Sequence, residues 1–211
     1  MNNTAGIKRA DNQVFGIKVP ASTLEFLQSL VIAICIAVVL YLFIVTPNQI
    51  QGNSMIPNFY EGDIILTNKL SNWLGDTEFG KSIGLNYKRG DVIVYQKPGL
   101  SDHVKRIIAV PGDRVAVRDG FVYINNKKLV EEYLPPATFT RGATFIEEEG
   151  ESKVVPEGTF FVMGDNRNDS LDSRYNEIGF VDKNWVKGKV ILIYWPINRF
   201  GIVNTGEFQE L

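Results

Sequence analysis

The sequence predicts a mainly β protein, an antiparallel β domain standing behind one N-terminal transmembrane helix. Three observations predict it. An uncharged apolar run fills 26–45, with Gln28 and Ser29 near one end as its polar interruptions. Beyond it, short β-branched and aromatic runs alternate with turn residues, which is how strands read. The single cysteine, Cys35, lies inside the apolar run, so 46–211 has no disulfide framework and must rely on a packed core. The division is then 1–25 as a cytoplasmic segment, 26–45 as the transmembrane helix and 46–211 as an extracytoplasmic β domain.

The run comes first in the chain. Some 20 residues rising ~1.5 Å each cover about 30 Å, the hydrocarbon thickness of a bilayer. A cleaved export signal has an apolar core of ~7–15 residues ending in small side chains. This run is longer and ends in Thr46-Pro47-Asn48-Gln49, so a retained, single-pass anchor is expected. Lys8, Arg9 and Lys18 precede it, whereas the first charges after it, Glu61 and Asp63, are acidic. Positive charge stays inside, which sends 46–211 across the membrane.

Strands are expected at 63–67, 91–95, 104–110, 114–117, 121–124, 159–163 and 190–194. Asp119-Gly120 and Asn125-Asn126 are tight-hairpin dipeptides between such runs. Pro98, Pro111, Pro135-Pro136 and Pro156 fall between them, where a missing N–H does no harm. The polar, Gly-rich stretch 71–90 reads as a long excursion carrying a short helix, with Trp73 and Phe79 facing either core or an interface.

Composition narrows the function. A net charge of -2 without a basic stripe argues against a nucleic-acid partner. One histidine and no outer cysteine leave few ligands for a transition metal, and Glu147-Glu148-Glu149 reads as a solvated loop. No metal and no cofactor are expected.

The chemistry begins at Gly52-Asn53-Ser54-Met55-Ile56-Pro57. Gly52 lets the backbone turn tightly, and such a loop can present the Ser54 hydroxyl and its backbone amide to one carbonyl. A serine nucleophile needs a base. His103 is the sole imidazole, and the carboxylate beside it, Asp102, points to the other face of a strand. The alternative is Lys105. A lysine titrating near 10.4 is no base at neutral pH, and lowering it to about 7–8 by burial takes roughly 3–5 kcal/mol. Its apolar surroundings, Val104, Ile107, Ile108, Ala109 and Val110, suit that. Period-2 geometry puts Lys105 on the face of His103 and Ile107 and turns Arg106 to the other. A third segment, Gly164 to Arg174, follows an apolar run and is too polar for a core. It reads as a scaffold: Asp165 or Asp172 pairs with Arg106 and Arg174, and Ser170 hydrogen-bonds the Lys105 amine.

Four segments in this order resemble the bacterial type I signal peptidases, or leader peptidases. Ser54-Met55-Ile56-Pro57 is similar to that family's nucleophile box, and Arg89-Gly90-Asp91-Val92-Ile93-Val94-Tyr95 to its next strand. His103-Val104-Lys105-Arg106-Ile107-Ile108-Ala109-Val110-Pro111-Gly112-Asp113 is similar to the general-base box, and Gly164 to Arg174 to the most distinctive one. The resemblance implies a signal-peptidase-like fold and a Ser-Lys dyad. In it Ser54 attacks, Lys105 is the base, Ser170 holds the Lys105 amine, and Asp172, Arg174, Arg106 and Asp165 support the site. It implies the Ser54 backbone amide as an oxyanion donor. Family members often add a serine hydroxyl two residues earlier, where this chain has Gly52. Met55, His103 and Val104 are expected in the substrate cleft; Met55-Ile56 and Trp195-Pro196-Ile197 read as core or cleft in preference to the alternative of touching the membrane surface.

The function so implied is cleavage of N-terminal signal peptides from exported preproteins, with small residues one and three positions before the cut. Its partners would be those signal peptides, the lipid bilayer of the cell's inner or plasma membrane, and the export machinery. Two rivals are a self-processing Ser-Lys regulator, which would carry a DNA-binding module instead of an anchor, and a catalytically silent membrane-tethered binding or assembly domain.

Overall fold

The computed structural model describes residues 13–14, 17–18, 20–136, 138–203 and 205–206. Lys8 and Arg9, two of the charges that set the expected topology, lie outside the described residues. Two units make up the chain, 1–42 and 43–211.

The first unit contains a hairpin of two short strands, β1 (Gln13–Val14) and β2 (Ile17–Lys18), and most of the helix α1 (Ala21–Phe43). Pro20 starts the helix, its carbonyl accepting from Thr23 and Leu24 N–H at 3.0 and 3.2 Å. Proline is favourable there because an N-terminal N–H has no helical partner anyway. Ala21–Tyr41 is long and apolar enough to cross a membrane. The helix begins five residues ahead of the apolar run at 26–45 and stops two short of its end. Strand pairing takes over there: Val45 already faces Asn68 in a β-ladder.

The second unit is β-built. Its strands are β3 (Val45–Gln49), β4 (Ile64–Asn68), β5 (Val92–Tyr95), β6 (His103–Ala109), β7 (Arg114–Arg118), β8 (Phe121–Ile124), β9 (Lys127–Lys128), β10 (Lys153–Val154), β11 (Thr159–Met163), β12 (Val181–Asp182), β13 (Val186–Trp195) and β14 (Gly201–Ile202). Among the described residues, an eight-stranded sheet runs β12-β11-β6-β5-β13-β4-β3 with β14 beside β13. A four-stranded sheet runs β10-β7-β8-β9. The ladders are antiparallel, as expected. The two hairpin dipeptides turn as their residues require, with φ 48° and 77° at Asp119 and Gly120 and 52° and 66° at Asn125 and Asn126.

Every expected strand exists, but β13 is longer than 190–194. Its first half, Val186-Lys187-Gly188-Lys189, pairs with β5, and its second half pairs with β4. Gly188 hides that continuation from the sequence, since glycine weakens a strand pattern. The structure gives its purpose: a Cβ at 188 would fall 2.3 Å from the Asn68 carbonyl oxygen. The excursion after β4 holds two one-turn helices rather than one, α2 (Leu70–Leu74) and α3 (Glu78–Ser82), the second capped by Thr77 Oγ1 accepting from Gly80 N–H.

The faces of β5 and β6 divide the core. Val92 and Val94 join Ile50, Met55, Phe59 and Ile65 under the Ser54 turn. Ile93 and Tyr95 join Ile107, Phe160 and Val162 on the other face. Val115, Val117, Val122 and Ile124 close the small sheet onto Phe161 and Met163. Met55 is core, Ile56 is half-buried, and Trp195 and Ile197 are exposed instead of lying in core or cleft.

Candidate active site

Ser54 sits in a compact turn between β3 and β4. Ile56 N–H reaches back to the Asn53 carbonyl, and Asn58 and Phe59 N–H both reach that of Met55. Bonds of 2.8 and 3.0 Å between Ile50 and Asp63 and between Gly62 and Ile50 close the base. Met55 and Phe59, packed into the core below, fix the turn from beneath. Gly52 has φ 76°, the left-handed region, with open space where a Cβ would stand; conformation rather than crowding asks for glycine. The Ser54 N–H has no backbone acceptor among the described residues.

Lys105 rises from the middle of β6, and its register opposite Ile93, with Arg106 opposite Val92, sends the two side chains to opposite faces. Lys105 is buried, 3% exposed, with Nζ 2.7 Å from Ser54 Oγ and 3.1 Å from the Val104 carbonyl oxygen. Burial pushes its pKa down to about 8; the carboxylates of Asp172 and Asp165 pull the other way and Arg174 assists burial. An amine held this close to a serine hydroxyl and stripped of water is a base that works near neutral pH.

The Gly164–Arg174 loop resolves the open pairings. Arg106 makes a two-pronged pair with Asp165, at 2.9 and 2.8 Å, and donates to the Gly90 carbonyl. Arg174 does the same with Asp172, at 2.8 and 2.9 Å. Arg106 therefore braces through Asp165, not Asp172. All four are buried, so each ion depends on its partner. Ser170 departs from expectation. Its Oγ is buried without a hydrogen-bond partner and does not bond Lys105, whose Nζ is turned to Ser54 and Val104. Gly164 is wedged beside it: a Cβ there would stand 2.2 Å from Ser170 Oγ and 2.4 Å from the Ser54 carbonyl oxygen.

His103 is half-buried and stacks on Tyr95, ring centroids 5.6 Å apart. Burial, and then Lys105, lower its pKa against the pull of Asp102. Asp102 is bound instead to Lys187 at 2.6 Å, so it does not orient the imidazole. The dyad geometry belongs to Ser54 and Lys105. A cleft of about 510 Å³ opens over both, lined also by Gln49, Met55, Val94, His103 and Val104. One wall is β3, the last strand of its sheet.

Sequence reasoning missed several groups. Asn166 donates its backbone N–H to the Ser54 carbonyl at 3.0 Å and its side-chain amide to the Asn53 carbonyl at 3.1 Å. Asn58 Nδ2 donates to Asp165 at 2.8 Å and to the Tyr133 carbonyl at 2.9 Å. The Tyr133 ring lies under the Arg106 guanidinium at 4.0 Å, and Arg167 binds Glu131, Thr140 and the Tyr133 hydroxyl. The polarity of the 164–174 loop was a signal for Asn166 and Arg167; nothing local marked Asn58, Glu131 or Tyr133. Glu147, Glu148 and Glu149 are exposed.

Residues 23–195 match the sequence model of the family described as signal peptidase, peptidase S26. The chain is 37% identical over 176 residues to signal peptidase I of Bacillus caldolyticus, covering 80% of this chain and 90% of that protein. It is 34% identical over 181 residues to signal peptidase I of Bacillus licheniformis, covering 84% and 91%. It is 33% identical over 187 residues to signal peptidase IB of Staphylococcus aureus, covering 84% and 92%. A serine and a buried lysine in contact, on a chain matched along most of its length, place it in the signal peptidase family, the S26 serine peptidases.

Proposed function

We propose that this chain is a membrane-anchored serine endopeptidase that cleaves N-terminal signal peptides from exported preproteins through a Ser54–Lys105 dyad. The observation that carries the reading is the 2.7 Å contact between Ser54 Oγ and a lysine amine almost wholly removed from water. α1 holds the catalytic unit at the outer face of the inner or plasma membrane, with the N-terminus cytoplasmic. The export machinery would deliver the substrate there.

The substrate lies extended in the cleft beside β3, which ends its sheet among the described residues and can take another strand. Neutral Lys105 takes the Ser54 proton as Oγ attacks the scissile carbonyl carbon. The oxyanion forms next to the Ser54 N–H, a donor worth about 3–4 kcal/mol when well placed. Gly52 offers no hydroxyl as a second donor. The Lys105 ammonium then protonates the leaving amine, and the mature protein departs. Lys105 next deprotonates a water, which attacks the acyl ester; the ammonium returns its proton to Oγ and the signal peptide is released as an acid. Asp165 with Arg106, and Asp172 with Arg174, hold the lysine strand and the Gly164–Arg174 loop in register. Met55, His103 and Val104 form the cleft. Small residues are favoured one and three positions before the cut.

The test is processing of a preprotein by detergent-solubilised full chain. Ser54→Ala and Lys105→Ala lose nearly all activity while His103→Ala keeps most of it. A Ser54→Ala variant that processes as well as the wild type, or a wild type that processes nothing, sinks the reading in favour of a silent domain. Loss in His103→Ala with an active Lys105→Arg would favour a triad.

A further inference from the structure

The cleft over Ser54 has a neighbour. A second cavity of about 270 Å³ is lined by Thr46, Asn48, Thr67, Lys69 and Lys187. Asn48 lines both cavities. Asp102, in the wall of the first, holds Lys187, in the wall of the second, at 2.6 and 2.9 Å. One asparagine and a half-exposed ion pair therefore stand at the boundary between them. Thr46 and Asn48 share a face of β3, and Asn48 stands opposite Ile65, which packs beneath the Ser54 turn. Lys187 reaches the boundary from a bulge in β13. Val186 faces Tyr95 and Gly188 faces Val94, so Lys187 is the extra residue between two rungs of the ladder. A bulge re-aims a side chain, and this one is turned to Asp102.

The second cavity is rich in donors. Among the described residues, no carboxylate lines it. Thr67 Oγ1 donates to Asn48 Oδ1 at 2.9 Å, which uses the acceptor of that amide and leaves its NH2 for another partner. Lys187 brings three N–H donors, and Asp102 has two oxygens to meet them. Lys69 adds a second positive side chain to the wall, and the Thr46 hydroxyl is buried without a hydrogen-bond partner. Donors backed by positive charge fit a carboxylate. The place of the cavity fits the substrate's path. Residues 47–51 line the cleft, so a chain extended beside β3 from Ser54 comes opposite Asn48 and Thr46 after about five to seven residues. Thr46 is three residues beyond Phe43, where α1 ends. A signal peptide leaving the bilayer there meets the second cavity before it meets Ser54.

We propose that Lys187, steered by Asp102, forms with Asn48 and Thr46 a subsite for an acidic side chain about five to seven residues before the cut. The subsite rests on the reading of the chain as a signal-peptide endopeptidase. It selects by charge, at a distance from the bond that is broken, and it disfavours a basic side chain at the same place.

The experiment is cleavage, by the full chain in detergent, of soluble peptides that span one cut and carry Glu, Gln or Lys in turn at each position on either side of it. kcat/KM for Glu is expected to exceed that for Gln about two- to fivefold at one or two of the upstream positions, with Lys the poorest. The excess should shrink towards one in about 1 M salt, where exposed charges are screened. Lys187→Met should remove it and Lys187→Arg keep it. Asp102→Asn should enlarge it, because the substrate carboxylate then has no competitor. Each reading is a ratio within one variant, so a smaller folded fraction does not alter it. Equal rates for Glu and Gln at every upstream position overturn the subsite alone. An excess that survives Lys187→Met, or that arises only after the cut, overturns it too. A chain that cleaves none of the peptides overturns the endopeptidase reading, and the subsite with it.

Discussion

Lys105 is the residue on which the chemistry and the stability of the site pull in opposite directions. Its folded pKa of about 8 lies below the ordinary 10.5. The folded state therefore binds fewer protons than the unfolded one between those values, and stability rises with pH across that window. At pH 7 the buried amine costs about 3 kcal/mol relative to its state above that window. Lys105→Met should accordingly raise the melting temperature at pH 7, with the gain shrinking above pH 10, while abolishing peptide cleavage; calorimetry across pH checks it. With Lys105 as the proposed base, the same value sets the acid limb of activity, so log kcat/KM should climb with unit slope and level off near pH 8. A limb lying well below that would point to His103, whose pKa burial lowers. Gly164 is as exacting in steric terms. Gly164→Ala should reduce kcat roughly 10- to 100-fold, because its methyl must displace the Ser54 carbonyl or Ser170.

At the scale of elements, the site is a junction. The Ser54 turn, β6, the Gly164–Arg174 loop and the segment carrying Tyr133 meet at Asn58 and Asp165. Asn58→Ala leaves the Tyr133 carbonyl without that donor and should destabilise by about 1–3 kcal/mol, with kcat falling more than KM rises. Asp165→Ala removes the carboxylate that pairs with the buried Arg106 and should cost about 3–5 kcal/mol in urea unfolding. This junction explains what could be read in the sequence and what could not. Ser54, Lys105 and the two arginines stand in local patterns, apolar alternation on a strand or a polar loop after one. Asn58 and Tyr133 are 75 residues apart in the chain, and only tertiary pairing brings the side chain of one to the backbone of the other. The strands were legible wherever apolar alternation held. They were not in Val186–Lys189, where Gly188 and two lysines break it, nor in β3, where Pro47 sits and the apolar run masked the start. Ser170 was placed in the right loop, but its hydrogen bond to Lys105 could not be judged without knowing where the Nζ points.

For the whole molecule, the division into a helical unit and a β unit separates two tasks. A chain beginning at Phe43 should fold, since the cores described above lie within 43–211, and should hydrolyse a short soluble peptide at near full-chain rate. On a preprotein embedded in vesicles it should be slower by about tenfold or more, because the anchor raises the local concentration of enzyme at its substrate. Comparing both substrates with both chains decides this; equal ratios would mean that the helix serves only to retain the protein. The dyad itself has a further consequence. Its two members lie 51 residues apart on separate elements. The basicity that matters exists only once several strands have closed around the amine. A newly made, half-folded copy thus carries an ordinary alcohol and an ordinary ammonium. Maturation is its own safety catch.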